Sequence, residues 1–334
     1  MTAEKPTQSN PTLKQIAAAS GVSAMTVSRA FREGTSVRKD VRDRILQEAE
    51  RLGYQPNPML SALMSSLAGR KGAQYRETIG VIWWKSTWPF RQGHGFWGDV
   101  CEGIEQSAGL HGCGVNHFQV GGDTSAESLD RILRTRGVEA VILMPPPSPE
   151  DQAPSIDWNR LSVVAVGATL REPNFHRVMS GHFQSMHMVL KRLAQAGVQR
   201  PALLLRDELD VRTQFAYSGA FLASSPDAWE RLWRSGMAGA RELDQWIAAL
   251  HPEVIIGDSN YWQPKISEQW ATSRFVSLDA RDQCTGIYQK GRIIGECAVD
   301  LLMSSRLRNE TGIPANPLSL FCDGEWREGS SLQL

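Results

Sequence analysis

The segment GVSAMTVSRAF at residues 21–31 concentrates side chains that bind polyanions. Ser23, Thr26 and Ser28 supply hydroxyls there, and Arg29 supplies a guanidinium. Hydroxyls near a helix N-terminus suit phosphate oxygens, aided by free backbone N–H groups and the helix dipole. The Arg29 guanidinium can donate two hydrogen bonds to a guanine edge. The segment therefore favours contact with nucleic acid, and the alternative at this point is an ordinary amphipathic hairpin of helices.

The spacing around this segment predicts a helix-turn-helix motif. Such a motif needs a small residue on its first helix, a turn residue that accepts positive φ, and an apolar residue inside its second helix. Ala17, Gly21 and Val27 meet these needs, and Ser23 is a good N-cap for the second helix. A third helix is predicted in RKDVRDRILQEAERLG from its apolar residues at helical spacing, which are Val41, Ile45, Leu46, Ala49 and Leu52.

Charge is distributed unevenly, although the chain of 334 residues is neutral overall. Residues 1–76 carry 12 Lys and Arg against 6 Asp and Glu, and the remaining residues carry 24 against 30. A basic head on a mildly acidic body favours a polyanion as the partner of the head. A solvated charged surface is the plainer explanation, and charge alone does not exclude it.

Several classes of protein are disfavoured by the composition. No apolar run is long enough to cross a bilayer, and the N-terminus has no apolar core like that of a signal peptide. We therefore expect a cytoplasmic protein with no membrane partner. The five cysteines are widely spaced without a C-x-x-C pair, which argues against a disulfide framework or structural zinc. His176, His182 and His187 lack the closed spacing of a metal site, so we expect neither metal nor cofactor.

Short, almost wholly apolar runs begin at Thr78 and alternate with helical stretches. The runs are TIGVIWW, EAVILMPPP, SVVAVGA, PALLLR, EVIIGDS and RFVSLD. Apolar strands separated by helices indicate parallel sheets that are covered on both faces. We therefore predict a doubly wound α/β body, in which ligands bind at the carboxyl ends of the strands.

The head carries a resemblance to a known family. TLKQIAAASGVSAMTVSRAFR, followed by the third helix and LGYQPNP, resembles the DNA-binding head of the LacI/GalR family of bacterial transcription regulators. The match is dense over residues 12–57 and continues more loosely to the C-terminus. It implies an all-α helix-turn-helix DNA-binding head plus an α/β periplasmic-binding-protein-like body of two doubly wound lobes.

The predicted domains follow from this division. They are a disordered tail at 1–11, the helix-turn-helix domain at 12–57, a hinge helix and linker at 58–77, and a two-lobed effector-binding and dimerisation domain at 78–334. The N-lobe is predicted at about 78–178 and 289–306, and the C-lobe at about 179–288 and 307–334.

The resemblance implies roles for individual residues of the head and linker. Base edges are expected to meet Ala24, Met25 and Arg29, and the DNA backbone is expected to meet Thr12, Leu13, Ser28, Tyr54 and Asn57. Leu63 matches a family leucine that wedges between base steps in the minor groove. The alternative for Leu63 is packing between paired hinge helices. The surroundings depart from the family pattern, which has alanine where Pro58 and Leu60 stand.

The body resembles periplasmic sugar-binding proteins, which hold their ligand between two lobes. Phe96 and Trp97 match an aromatic pair near the cleft mouth, where aromatic faces stack on sugar rings. Asp258 and Asp279 match positions that typically hydrogen-bond sugar hydroxyls. Arg212 is the candidate cleft arginine, although its spacing departs from the family pattern.

A cluster of tryptophans lies close together in the sequence and has two interpretations. It consists of Trp83, Trp84, Trp88 and Trp97. These residues suit a carbohydrate-stacking cleft, and they equally suit core and interface packing.

The sequence therefore predicts a homodimeric, sequence-specific regulator of transcription, acting as a repressor, and not an enzyme. Its partners are double-stranded DNA with a pseudo-palindromic operator and a small-molecule effector, a carbohydrate, in the inter-lobe cleft. The alternatives are an effector-independent DNA-binding regulator and an enzyme body fused to a DNA-binding head. GHGFWG at 93–98 satisfies a dinucleotide-binding pattern, but no acidic residue ends the following strand. Gly257-Asp258-Ser259 suggests a hydrolase nucleophile, but no partner histidine is identifiable.

Overall fold

The structure is a computed structural model. It describes residues 13–23, 26–27, 38–51, 77–89, 95–236, 240–266, 268, 270, 274–281 and 284–332. The chain divides into two compact units, residues 1–72 and residues 73–334. The first unit is a small helical head, and the second is an α/β body.

The strands and helices follow one another in a regular order. The strands are β1 (Glu77–Trp84), β2 (Cys113–Val120), β3 (Ala140–Leu143), β4 (Ser162–Val166), β5 (His176–Ser180), β6 (Pro201–Leu205), β7 (Leu232–Arg234), β8 (Val254–Gly257), β9 (Phe275–Ser277), β10 (Gly286–Tyr288), β11 (Ser319–Cys322) and β12 (Glu325–Arg327). The α-helices are α1 (Leu13–Ser20), α2 (Lys39–Arg51), α3 (Phe96–Leu110), α4 (Ala126–Thr135), α5 (His182–Gln195), α6 (Asp207–Arg212), α7 (Ala216–Leu222), α8 (Ala240–Leu250), α9 (Ser259–Trp262) and α10 (Gly291–Leu307).

The described part of the head has the turn geometry that the sequence predicts. Gly21 follows α1 with φ +63°, a conformation that glycine adopts without steric cost. The Val22 N–H donates to the Ala17 carbonyl at 3.1 Å. Ser23 Oγ accepts a hydrogen bond from the Thr26 N–H at 3.2 Å, as an N-cap should. Ala17 and Val27 are both buried.

The apolar face of α2 is narrower than predicted. Ile45 and Ala49 are buried, one turn apart, whereas Leu46 is 39% exposed. Leu46 is the next residue after Ile45 and therefore points about 100° away around the helix. The predicted helix is present, and Leu46 lies outside its buried face. Leu52 lies outside the described residues.

Two six-stranded sheets make up the body. The first has the strand order β11-β5-β4-β3-β1-β2 and is parallel throughout. The second has the order β12-β10-β9-β8-β6-β7 and is parallel except for the pairing of β10 with β12. Apolar cores lie on both faces of each sheet, which explains why their central strands are continuous apolar runs. The predicted doubly wound α/β fold is confirmed.

The chain crosses between the two lobes three times, after β5, after β10 and after β11. These crossover segments lie side by side. The Gly181 N–H after β5 donates to the Cys322 carbonyl at the end of β11, at 2.9 Å. Lys290, after β10, forms an ion pair with Glu325 of β12 at 3.7 Å. The crossovers therefore hold the lobes together at one side.

Two of the predicted lobe boundaries differ from the structure. The prediction places residues 307–334 in the C-lobe, but β11 pairs with β5 in the first sheet, with Ser319 opposite Arg177. Only β12 in that segment joins the second sheet. The pairing partner of a short strand depends on distant parts of the chain, so the run PLSLFC does not reveal it. In addition, β5 extends to Ser180, two residues past the predicted boundary.

Among the described residues, no helix has the length and apolar content needed to span a membrane.

Candidate functional site

A cavity of about 550 Å³ lies between the two lobes, and we call it the inter-lobe cavity. Its walls come from the segments just after β4, β6, β8, β9 and β10, from the end of β5, and from the start of α3. Parallel sheets commonly bind ligands at these carboxyl ends. The volume lies within the range of small-molecule pockets, roughly 300–1,000 Å³.

An aromatic pair forms the part of the wall contributed by α3. The rings of Phe96 and Trp97 meet edge to face, with centroids 4.7 Å apart and an interplanar angle of 76°. Both side chains are half-buried. Such a pair is held rigidly by its own packing and presents an apolar surface to a ligand.

On the second lobe, an ion pair and an aromatic ring form a unit. Arg206 Nη2 donates to Asp258 Oδ2 at 2.7 Å, and both residues follow buried strands. The Arg206 guanidinium also lies 5.1 Å from the centre of the Tyr261 ring. Arg206 thus neutralises Asp258 and fixes the direction of its carboxylate.

Asp279 is held from behind by a second arginine. Arg281 Nε donates to Asp279 Oδ2 at 3.1 Å, and Arg281 Nη1 donates to Asp99 Oδ2 of α3 at 3.0 Å. Burial raises the pKa of Asp279, although Arg281 opposes that shift. Asp279 Oδ1 is buried and has no hydrogen-bond partner among the described residues. This oxygen is therefore an acceptor that the described residues leave unused.

A neutral hydrogen-bond chain connects several other groups of the cavity wall. Gln289 Nε2 donates to Tyr217 Oη at 3.0 Å and to the Leu278 carbonyl at 2.6 Å. Tyr217 Oη lies 2.8 Å from His182 Nδ1. Burial lowers the pKa of His182 to about 4 and raises the pKa of Tyr217, so both are neutral at pH 7. The direction of the hydrogen bond between Tyr217 and His182 depends on which ring nitrogen of His182 carries the proton.

The last residue of α6 and the segment between α6 and α7 reach from the second lobe to the first. Arg212 Nε lies 3.5 Å from Thr169 Oγ1, and Gln214 Nε2 donates to the Ala168 carbonyl at 3.1 Å. Gln214 and Phe215 both have positive φ, at 56° and 60°. Two consecutive side-chain-bearing residues in this region store backbone strain, commonly at ligand-binding segments.

The structure brings together all five residues predicted for the effector cleft. Phe96, Trp97, Arg212, Asp258 and Asp279 each line the inter-lobe cavity. Of the four clustered tryptophans, Trp97 alone lines it, while Trp83 is buried in the core of the first lobe.

Sequence reasoning missed several residues of the same wall, among them Arg206, Tyr217, Gln289 and His182. A signal existed for two of them, because Arg206 directly follows PALLL and Gln289 directly follows GIY. Tyr217 lies on a helix, and the sequence does not indicate which face of that helix meets the cavity.

The predicted DNA contacts lie mostly outside the described residues. This applies to Ala24, Met25, Arg29, Thr12, Ser28, Tyr54, Asn57 and Leu63. Leu13 begins α1, but its side chain is not described. In the described part of the chain, no three His, Cys, Asp or Glu residues group together as a metal site would require.

Residues 12–57 match the family model for bacterial regulatory proteins of the lacI family. The head is a lacI-family DNA-binding domain. The rest of the chain is also similar to regulators of this kind. The chain is 25% identical to the sucrose operon repressor of Shigella flexneri over 250 residues, which cover 75% of the chain and 67% of the relative. It is 37% identical to the transcriptional regulator GalS of Salmonella typhimurium over 71 residues, 21% of the chain and 18% of the relative.

Solved structures of the family have the same fold. The complex of the transcriptional regulator CelR with cellobiose has a TM-score of 0.53 at 17% identity, covering 96% of this chain and 100% of that one. The lac repressor bound to ONPG in its repressed state has a TM-score of 0.53 at 18% identity, covering 97% and 100%. These relatives are transcription regulators rather than enzymes.

Proposed function

We propose that this protein is a sequence-specific, homodimeric repressor of transcription whose operator affinity is set by a sugar in the inter-lobe cavity. The head, at residues 12–57, binds the half-sites of a pseudo-palindromic operator, and residues 58–77 form the hinge helix. The effector changes the relative position of the two lobes and thereby orders or disorders the hinge. Such coupling requires that effector and DNA bias the same two-state element.

One observation carries the sugar assignment. The inter-lobe cavity combines the Phe96–Trp97 pair with two carboxylates, Asp258 and Asp279, that arginines hold in fixed directions. Sugars present apolar C–H faces and a rim of hydroxyl groups. An aromatic surface with fixed hydrogen-bond acceptors matches both features. The names of relatives agree with this class, since one is a sucrose operon repressor and another structure contains cellobiose.

DNA recognition is assigned to the head by the family match. Arg29 is its strongest base-reading candidate, together with Ala24 and Met25, and Leu63 of the hinge is the candidate minor-groove wedge. Contacts to the DNA backbone come from Thr12, Leu13, Ser28, Tyr54 and Asn57. A protein of this function acts in the cytoplasm, where bacterial DNA lies.

Two measurements on the full chain test the proposal. A thermal-shift screen of mono- and disaccharides should reveal a sugar that raises the melting temperature, because a ligand of the native state stabilises it. A gel-shift titration with an operator selected from random DNA should then show that the same sugar changes operator affinity. A sugar that binds without changing operator affinity would contradict the proposed regulation of DNA binding by sugar. Turnover of the sugar would favour an enzyme body, and an unresponsive cavity would favour an effector-independent regulator.

A further inference from the structure

A second cavity, of about 470 Å³, adjoins the inter-lobe cavity, and we call it the side cavity. The two share one wall, made of Ala168, Met179, Ser180, His182 and Thr213. The side cavity lies where the β5–β11 edge of the first lobe meets the start of α5 and the segment before α7 in the second lobe. A ligand in the inter-lobe cavity is therefore adjacent to it.

The charge of the side cavity has one sign. Among the described residues, its lining includes two arginines, Arg171 and Arg177, and no aspartate or glutamate. The inter-lobe cavity differs in this respect, because Asp258 and Asp279 line it.

Three arginines around the shared wall have no ion pair within 4.0 Å among the described residues. They are Arg171, Arg177 and Arg212. The fourth arginine that lines either cavity, Arg206, forms an ion pair with Asp258. Glu150, Glu172 and Glu208 act on the three arginines electrostatically from outside these linings. Arg177 is buried and donates only to neutral groups, the Leu170 carbonyl at 2.8 Å and Asn174 Oδ1 at 2.9 Å.

The shared wall also holds an unsatisfied polar atom. Ser180 is 4% exposed, and its hydroxyl oxygen makes no hydrogen bond within the described part of the chain. A buried hydroxyl normally has a partner. Because this oxygen is closed off from solvent, a ligand in either cavity would contact it only after a shift of the shared wall.

We propose that the effector is a saccharide carrying a carboxylate or phosphate, with its ring in the inter-lobe cavity and its anionic group in the side cavity. The inference rests on the proposed sugar-responsive function and narrows its ligand class. Guanidinium groups bind carboxylates and phosphates through charge-assisted hydrogen bonds, which are stronger than bonds to neutral hydroxyls. Arg171 lines the side cavity and is the group that binds the anion, and the buried Arg177 supplies a fixed positive charge there. Arg212 adds positive charge from the inter-lobe cavity.

The test compares matched ligands on the full chain. Glucose, galactose and mannose are each titrated beside their uronate and their 6-phosphate, which separates the carboxylate source from the phosphate source. One acidic form should bind at least about tenfold more tightly than its neutral parent. That preference should shrink as salt is raised, because charge contributes to it.

Substitutions then locate the anion. Arg171→Gln should remove about tenfold of the affinity for the acidic form and leave the affinity for the neutral parent unchanged. Arg171→Lys should retain part of the preference. Arg131→Gln is the matched control, since Arg131 is an exposed arginine on α4 that lines neither cavity. Equal binding of neutral and acidic forms, or a preference that survives in an Arg171→Gln, Arg212→Gln double variant, would overturn the inference.

An inorganic anion tests the anion site independently of the proposed sugar-responsive function. Sodium sulfate should raise the melting temperature of the wild-type chain more than that of Arg171→Gln, while Arg131→Gln should match the wild type. If no saccharide binds, the proposed function fails, and a sulfate effect that depends on Arg171 still supports the anion site. Equal sulfate effects in all three proteins would remove the anion site as well.

Discussion

Arg281 Nη1 donates to Asp99 Oδ2 at 3.0 Å and so joins the second lobe to the first beside the inter-lobe cavity. Both side chains are partly exposed, at 23% and 27%. Arg281 also holds Asp279, so the same guanidinium connects a cavity-lining carboxylate with the opposite lobe.

This contact predicts an effect on ligand affinity with little effect on stability. Asp99→Asn removes the ion pair between the lobes but keeps the Arg281–Asp279 pair. We expect ligand affinity to change by about fivefold, while the free energy of unfolding changes by less than about 1 kcal/mol. Calorimetric titration and urea unfolding measure the two quantities. Asp300→Asn is the control, since Asp300 pairs with His111 within the first lobe. Equal changes in both variants would contradict a role for the inter-lobe contact.

Trp97 should contribute strongly to ligand binding. Trp97→Ala removes one ring of the edge-to-face pair in the inter-lobe cavity. Well-packed aromatic residues often contribute more than 1–2 kcal/mol to binding, so we expect a loss of at least about tenfold in sugar affinity. Trp229→Ala should leave that affinity unchanged, because Trp229 is 67% exposed and does not line the inter-lobe cavity. A Trp97→Ala protein with wild-type affinity would remove this residue from the site.

His182 predicts a loss of stability in mild acid. Burial lowers its pKa in the folded protein from 6.5 to about 4. The unfolded chain therefore takes up a proton first, and stability falls as the pH drops from about 6.5 towards 4. Between pH 7.5 and pH 5 we expect this group to cost on the order of 2 kcal/mol. Urea unfolding of the wild type and of His182→Gln at both pH values measures it. A pH dependence that is the same in both proteins would contradict the assignment.

Packing of α3 against α10 predicts two opposite outcomes for glycine substitutions. A Cβ on Gly295 would clash with the Val100 carbonyl oxygen and the Ile104 nitrogen, which are backbone atoms that cannot move aside cheaply. Gly295→Ala should therefore destabilise the body by about 3 kcal/mol. A Cβ on Gly109 of α3 meets nothing within 4 Å. Gly109→Ala should be neutral or stabilise by up to about 1 kcal/mol. Thermal unfolding compares the two variants. Equal melting temperatures for Gly295→Ala and Gly109→Ala would show that α3 and α10 do not pack closely at Gly295.

Arg29 should determine base preference rather than overall DNA affinity. Arg29→Ala is expected to cost roughly 1–3 kcal/mol on a selected operator and much less on random DNA. Ser28→Ala, which removes a predicted phosphate contact, should weaken both DNAs alike. Gel-shift titrations of the Arg29→Ala and Ser28→Ala proteins with the operator and with random DNA measure the four affinities. Equal losses on operator and random DNA for Arg29→Ala would assign this arginine to the DNA backbone.

The fold was largely predictable because its central strands are buried on both faces. Strands such as β3 and β8 are continuous apolar runs, and such runs survive in the sequence as a direct signal. The edge strand β11 has three exposed residues out of four, and its pairing with β5 depends on a chain segment more than a hundred residues away. Local sequence carries no information about such a partner.

The candidate site was predictable to the extent that its residues follow strands. Asp258 and Asp279 come directly after β8 and within two residues of β9, where parallel sheets bind ligands. Tyr217 and His182 reach the cavity from helices, and their orientation depends on how the lobes pack. The side cavity is formed by β11 and α5 together, so it follows from the one pairing that the sequence did not reveal.

The pairing of β11 with β5 also has a consequence for synthesis of the protein. The first sheet begins with β1 at Glu77 but is completed only by residues 319–322. While the ribosome is still making the chain, β5 pairs with β4 on one side only, and its open edge can join strands of another nascent chain. The second lobe has emerged almost entirely before the first is closed. Chains that terminate before Ser319 should therefore be recognised by chaperones and proteases as incomplete, although their second sheet lacks only β12.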